Sequence, residues 1–198
     1  RVELYFSGID LAADPAKTGT ATIQETPAGP VLIDATCTAT DNHLTALVAR
    51  AELTGVDIPL GWPRAFRFFL NAHAVGEDVL PDEAGPDVRR ELVNRFTDLE
   101  VRRTAGVTPL PVATERIAHP ALRWAGLEQR LRAAGVDTHR GGQGKVAEVY
   151  PAAALKQWGM RHRGYKGADD AGRAAREEIA AGLSARFGLD WGNWHQLA

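Results

Sequence analysis

The sequence has a single cysteine, no long apolar run and no excess of either charge. Cys37 is the only cysteine, so the chain cannot form an internal disulfide, and we expect a reducing, cytoplasmic location. No apolar segment approaches the roughly 20 residues that cross a bilayer, so no membrane partner is expected. The first residues follow a strand pattern, which differs from the basic and then apolar pattern of a signal peptide.

The charge balance limits the classes of partner. Lysine and arginine total 23 against 25 aspartate and glutamate, for a formal net charge of -2. A protein dedicated to duplex DNA usually has a clear basic excess, because neutralising phosphates supplies most non-specific affinity. Nucleic acid stays a candidate partner, since a local basic patch is compatible with a neutral total. The sequence contains no indication of the oligomeric state.

Length and composition favour one α/β domain spanning residues 1–198. Hydrophobic residues make up 44% and charged residues 24%, which is an ordinary globular balance. Residues 2–11 form a segment rich in β-branched and aromatic residues, and two shorter segments, 20–24 and 31–35, follow it after turns that contain Pro and Gly. We interpret them as consecutive strands linked by hairpins.

A helix and another strand follow these hairpins. Apolar residues at helical spacing predict a helix over residues 42–52, with Thr40 or Asp41 as its N-cap. The short apolar segment 55–59 is the expected partner strand after a crossover helix. The order up to this point is βββαβ, which indicates a mixed sheet.

The pattern becomes mainly helical between residues 61 and 142. We interpret this range as an insertion within the domain, because no segment in it has a separate strand signal. Its helices are predicted at residues 64–74, 87–96 and 113–134. A glycine-rich loop at 141–144 leads to the remaining elements, a strand at 145–150 and helices at 152–158 and 170–187.

Three apolar strands each contain one carboxylate near the C-terminal end or the middle of the strand: Asp10, Asp57 and Glu148. An unpaired buried carboxylate is costly, so each needs a partner, water or a metal ion. Carboxylates suit Mg²⁺ or Mn²⁺, and ions held there would align a water and stabilise the leaving oxygen in phosphodiester cleavage. We therefore predict a catalytic metal centre at these residues. Structural roles remain open for all three. Asp10 could accept hydrogen bonds from backbone N–H groups, Asp57 could be a turn residue at the strand end, and Glu148 could form an ion pair with an arginine of the inserted helices.

Other polar residues receive simpler interpretations. The candidate substrate-binding residues are Arg102, Arg103 and Lys166. Arginine can form two hydrogen bonds to a phosphate group, and lysine supplies a positive charge. The alternative is that each is an ordinary solvent-exposed surface residue. Asp169 and Asp170 lie at the start of a predicted helix, and we interpret them as helix-capping residues rather than metal ligands. Cys37 has no histidine near it in the sequence and is predicted to lie in the core.

Several blocks along the chain resemble domain-of-unknown-function family 429, in the same order. The blocks are residues 8–12 (GIDLA), 55–63 (GVDIPLGWP), 102–104 (RRT), 109–113 (PLPVA), 148–152 (EVYPA) and 164–166 (GYK). The resemblance implies a ribonuclease H-like fold and a predicted nuclease activity. It also implies that Asp10, Asp57 and Glu148 form the acidic site.

The end of the chain departs from the pattern of that family. Its members typically continue with an alanine-rich final helix that contains an Asp, whereas this sequence ends at Ala198 after Trp194, His195 and Gln196. The resemblance therefore leaves open whether a fourth acidic ligand belongs to the site.

Two other functions remain open from the sequence. Residues 10–20, an Asp followed by a Thr-Gly hairpin, resemble the first phosphate loop of the actin and sugar-kinase superfamily, which implies an ATP-dependent phosphotransferase. Those enzymes need two such halves around the nucleotide, and residues 57–61 match the second loop poorly. The near-neutral charge and the departure at the C-terminus favour instead a non-catalytic binding module with a ribonuclease H-like fold.

Overall fold

The described part of the chain contains both strands and helices. The computed structural model describes residues 3–77, 80, 85–113, 115–140 and 143–193. Its strands are β1 (Leu4–Asp10), β2 (Gly19–Thr26), β3 (Gly29–Thr36), β4 (Leu53–Val56) and β5 (Val146–Glu148). Its α-helices are α1 (Asp41–Arg50), α2 (Arg64–Ala74), α3 (Pro86–Val93), α4 (Phe96–Ala105), α5 (Glu115–Ala133), α6 (Pro151–Gln157) and α7 (Asp170–Phe187). The protein is therefore a mixed α/β protein.

The strands form one mixed sheet in the order β3-β2-β1-β4-β5. β1, β2 and β3 are antiparallel neighbours, as the predicted hairpins require. After α1, β4 pairs parallel to β1, and β5 pairs parallel to β4. The predicted order βββαβ is confirmed. Because parallel strands end at the same edge of a sheet, the C-terminal ends of β1, β4 and β5 lie together.

The side chains of the sheet alternate between a packed face and an open face. Ile9 on β1 and Val56 on β4 belong to the packed face and are 2% and 0% exposed. α1 and α5 cover this face, and Trp124 of α5 is buried there. Gly8 and Gly55, which are neighbours across β1 and β4, lie on the open face. The hydrophobic core is therefore on one side of the sheet.

α5 belongs to this core although it falls within the range 61–142, which the sequence analysis interprets as an insertion. Leu127 and Leu131 of α5 are 1% and 2% exposed and pack with the strand residues. The main core therefore depends on residues of the predicted insertion. In the described part of the chain, no helix is long and apolar enough to cross a membrane.

α3 forms where the sequence predicts a helix over residues 87–96, and a further helix, α4, follows that the sequence did not predict. The backbone at Arg95 is extended, and this residue separates α3 from α4. The Arg95 N–H donates to the Asp98 carboxylate at 2.9 Å, which satisfies a backbone donor at the start of α4. Arginine is an unusual residue at a helix N-cap, so no start signal in the sequence indicated α4.

Three smaller predictions have different outcomes. Thr40 caps α1, because its hydroxyl accepts the N–H of His43 at 3.3 Å, so this prediction is confirmed. Cys37 is exposed, so the prediction that it lies in the core is wrong. It directly follows β3, at the start of the segment that leads to α1. The described residues do not include Gly141, Gly142, Trp194, His195, Gln196 and Ala198, on which parts of the sequence predictions fall.

Two leucines on α5 provide a test of this core. Leu127→Ala removes a side chain that is 1% exposed. It should lower the free energy of unfolding by about 2–5 kcal/mol, because a cavity remains. Leu122→Ala removes a side chain that is 59% exposed. It should change that free energy by less than about 0.5 kcal/mol. Urea denaturation measures both values, and equal losses would contradict this placement of the core.

Candidate active site

Two carboxylates lie side by side at the C-terminal edge of the central strands. Asp10 is the last residue of β1, and Asp57 directly follows β4. The backbone N–H of Asp57 donates to the carbonyl of Ile9 at 2.8 Å, which continues the parallel pairing. Both side chains line the same two grooves at this edge. We call these two residues the acidic pair.

The electrostatics of Asp57 reflect this arrangement. The pKa of its carboxyl is raised to about 6, first by burial and then by the negative charge of Asp10, whereas Lys166 acts to lower it. Glu148 adds a smaller repulsion. Burial also raises the pKa of Tyr150, and the charge of Asp57 contributes to that rise. A bound cation would relieve the repulsion within the acidic pair.

Glu148, the third predicted acid, is held by an arginine. Its carboxylate oxygens accept hydrogen bonds from Nη1 and Nη2 of Arg95, both at 2.7 Å. Oε2 also accepts the backbone N–H of Leu60 at 3.0 Å. Arg95 donates in addition from Nε and Nη2 to Asp98, whose side chain is 2% exposed. The structure therefore contains the ion pair with an inserted arginine that the sequence left open.

These contacts also keep Arg95 charged. Burial acts to lower the pKa of its guanidinium group, but the hydrogen bonds and charges of Glu148 and Asp98 outweigh that effect. The pKa of Arg95 is consequently raised above its ordinary range. An arginine paired with two carboxylates leaves a net negative charge at this point, next to the acidic pair.

The donor set for a metal ion is smaller than the sequence predicts. Among the described residues, no group of three or more His, Cys, Asp or Glu side chains is placed to hold an ion. The acidic pair still fits a hard divalent cation, since Mg²⁺ is often bound through one or two carboxylates plus water and substrate phosphate. Glu148 does not fit as a third ligand while Arg95 holds both its oxygens. The metal prediction therefore depends on Asp10 and Asp57.

Two grooves meet at the acidic pair. One has a volume of about 1120 Å³, and we call it the sheet-face groove; its lining includes Gly8, Ala21, Ala35, Gly55 and Ala180. The other has a volume of about 710 Å³, and we call it the charged groove; its lining includes Arg95, Asp98, Arg116, Glu148 and Arg163. The residues that line both are Asp10, Asp57, Val149, Tyr165 and Lys166. A ligand at the acidic pair therefore has access to both grooves.

The predicted substrate-binding cations divide between the grooves and the solvent. Lys166 lines both grooves. Arg102 and Arg103 lie on α4, are exposed and line neither groove, and Arg103 pairs with an acid of its own helix. Arg116 and Arg163, which the sequence analysis did not select, line the charged groove. No local sequence signal distinguishes these arginines, because their difference lies in their position in the fold.

Arg123 holds the loop that follows Asp10. Its Nη1 donates to the carbonyl of Ala12 and to the hydroxyl of Thr18, both at 2.7 Å. Its Nε donates to Asp41, at the start of α1, at 2.9 Å. The side chain of Arg123 is only 10% exposed. The core helix α5 therefore fixes the β1–β2 loop next to the acidic pair.

The loop before α7 places Tyr165 and Lys166 in the grooves. Nη1 of Arg176 donates to the carbonyls of Tyr165 and Gly167, both at 2.7 Å. The carboxylate of Asp169 accepts a backbone N–H from the first turn of α7 at 2.9 Å, which confirms the predicted cap. The backbone on both sides of Lys166 is thus held by α7.

Comparison with known proteins gives a family and no nearer relative. The family described as Protein of unknown function (DUF429) matches residues 8–195. The chain belongs to the DUF429 family. No curated protein matches it, and no solved structure matches it. The DUF429 match covers the acidic pair, Glu148 and Lys166.

Two substitutions in this DUF429 protein should move the pKa of Asp57 in opposite directions. Asp10→Asn removes a neighbouring negative charge and should lower that pKa, although burial keeps it above its ordinary value. Lys166→Met removes a positive charge and should raise it further. Carbon-13 NMR of the Asp57 carboxyl during a pH titration measures both shifts. An unchanged pKa in Asp10→Asn would show that the two carboxylates do not interact.

The raised pKa of Asp57 also makes the stability of this DUF429 protein depend on pH. The folded state binds the Asp57 proton more tightly than the unfolded state, so the free energy of unfolding should fall as pH rises from 3.8 to about 6. Asp57→Asn cannot release a proton and should lack this part of the decrease. Urea denaturation across the pH range, compared between wild type and Asp57→Asn, measures the difference. Parallel curves would contradict the raised pKa.

Proposed function

We propose that this DUF429 protein is a metal-dependent nuclease, that is, a phosphodiester hydrolase with a ribonuclease H-like fold. The observation that carries the proposal is the acidic pair at the ends of parallel strands, where burial and Asp10 raise the pKa of Asp57 to about 6. The strand order supports the fold, with three hairpin-linked strands, a crossover helix and two further parallel strands. Ligand sites in open α/β sheets lie at such strand ends.

Each residue of the site has a defined part in the proposed reaction. Asp10 and Asp57 hold the cation, Mg²⁺ or Mn²⁺, which supplies positive charge for water activation and for the leaving oxygen when bound. Lys166 attracts the phosphate from its position in both grooves. Arg95 holds Glu148 and so ties the end of β5 to α4. Water forms the new P–O bond as the ester P–O bond breaks. The attacking water gives a proton to solvent, and the leaving oxygen takes up a proton from solvent and departs as an alcohol.

A non-catalytic binding module is the second candidate, and one observation favours it. Arg95 takes both oxygens of Glu148, so the described residues leave two carboxylates free at the strand ends rather than three. In that case the protein binds a ligand in the grooves without cleaving it. The phosphotransferase alternative has less support, because the hydroxyl of Thr18 in the proposed phosphate loop is bound to Arg123 at 2.7 Å.

Manganese binding and hydrolysis of bis(p-nitrophenyl) phosphate test the proposal together. Asp10→Asn removes a metal-binding carboxylate, so Mn²⁺ binding should be lost in calorimetric titration. The hydrolysis rate should fall at least about a hundredfold, more than the loss of an outer-shell partner of a metal usually costs. Glu148→Gln leaves the acidic pair in place, so Mn²⁺ binding should remain.

Asp34→Asn is the matched control for Asp10→Asn. Asp34 is an exposed aspartate on β3 that lines neither groove, so this variant should keep both Mn²⁺ binding and the wild-type rate. If Asp10→Asn kept the full metal-dependent hydrolysis rate, Asp10 would not be a metal ligand. Wild-type protein that binds no Mn²⁺ in the millimolar range would favour the binding module.

A further inference from the structure

The open face of the sheet has a floor of small residues next to the acidic pair. In the cross-strand register, Ala35 lies beside Ala21, Ala21 beside Gly8, and Gly8 beside Gly55. Gly8 and Gly55 each precede a member of the acidic pair by two positions in the sequence. Because side chains alternate along a strand, the floor and the acidic pair lie on the same side of the sheet.

Gly8 has no conformational or packing reason to be glycine. It is not among the glycines with a positive φ, and a Cβ atom built on it meets no atom within 4 Å. Gly55 differs, because a Cβ atom there would lie 2.9 Å from Cγ1 of Val149. A glycine inside a strand weakens it and often marks the close approach of a ligand. The space above Gly8, unoccupied by any described residue, is therefore available to a ligand.

The walls of the sheet-face groove suit a planar apolar group. α7 contributes Ala180 opposite the sheet, and Tyr165 and Trp191 add aromatic side chains to the lining. The indole Nε1 of Trp191 donates to the Ser184 hydroxyl at 2.8 Å, which fixes the orientation of the ring. Aromatic groups pack favourably against such rings in offset or edge arrangements. The volume, about 1120 Å³, is close to that of the largest small-molecule sites, about 1,000 Å³.

The adjoining charged groove supplies cations for a phosphate. Arg116 and Arg163 line it, and neither forms an ion pair with another residue in the described ranges. Lys166 lies where the two grooves meet. These three cations are few for a long polynucleotide, whose binding depends on many phosphate contacts. These cations suit a ligand with one or a few phosphates.

From these features we infer the substrate class of the proposed hydrolase, an inference that rests on the proposed function. The substrate is a small phosphodiester with a planar aromatic group. The aromatic group lies on Gly8 in the sheet-face groove, and the phosphate lies at the acidic pair with Lys166. Arg116 and Arg163 contact its remaining anionic part. The continuity of the two grooves at the acidic pair is what joins these contacts into one site.

Calorimetric binding of diphenyl phosphate and dimethyl phosphate in the presence of Mg²⁺ tests this inference. The two diesters have the same charge and differ in their rings, so wild-type protein should bind diphenyl phosphate at least about tenfold more tightly. Gly8→Leu fills the groove from the sheet, and Ala180→Leu fills it from α7. Each should weaken binding of diphenyl phosphate by about tenfold or more.

Gly126→Leu is the matched control. Gly126 is an exposed glycine of α5 outside both grooves, and a Cβ atom built on it also meets no atom within 4 Å. This variant should keep the wild-type affinity for diphenyl phosphate. Thermal melting followed by circular dichroism shows whether the two filling variants, Gly8→Leu and Ala180→Leu, are folded. One folded filling variant is sufficient for the test.

The outcomes separate this inference from the proposed function. Equal wild-type affinity for the two diesters, or unchanged binding of diphenyl phosphate by a folded filling variant, overturns the substrate class even if hydrolysis is found. In a further case, the wild-type protein binds diphenyl phosphate, the filling variants do not, and the wild-type protein hydrolyses no diester. This result upholds the aromatic site and refutes the hydrolase function. Wild-type protein that binds neither diester overturns the inference outright.

Discussion

The parallel pairing of β1 with β4 is the interaction on which the proposed site depends. It places the ends of the two strands at one edge, and the hydrogen bond from Asp57 to the carbonyl of Ile9 continues it to the acidic pair. The arrangement is costly, because a half-buried carboxylate beside a second negative charge resists ionisation, as the raised pKa of Asp57 shows. Functional sites commonly contain such perturbed groups, since binding or catalysis needs them.

Arginines hold the segments around this edge. Arg95 joins the end of β5 to the start of α4, Arg123 joins the loop after β1 to α1 and α5, and Arg176 holds the loop that contains Lys166. Arg95 and Arg123 donate to acceptors from different segments, and Arg176 donates to two carbonyls of one loop. These hydrogen bonds compensate for the water that a guanidinium group loses on burial. Charge-assisted hydrogen bonds thus shape the site, whereas apolar packing against α1 and α5 stabilises the opposite face of the sheet.

The amino-acid sequence by itself determined the local elements and the two acids of the site. It predicts α2 and α7 at their observed bounds, Arg64–Ala74 and Asp170–Phe187, because helical periodicity is a property of near neighbours in the chain. It selects Asp10 and Asp57 because a carboxylate in an apolar strand is costly however the chain folds. It also contains the blocks on which membership of the DUF429 family depends.

Only the tertiary structure decided what these residues contact. Glu148 and Arg95 are 53 positions apart, and the sequence leaves an ion pair and metal ligation as equal alternatives for Glu148. Two arginines selected by charge lie on α4 away from both grooves, while Arg116 and Arg163 line the charged groove. α4 itself begins at a hydrogen bond between Arg95 and Asp98 that no periodicity indicates. Periodicity depends on adjacent residues, whereas contacts between distant side chains depend on how the whole sheet and its helices pack.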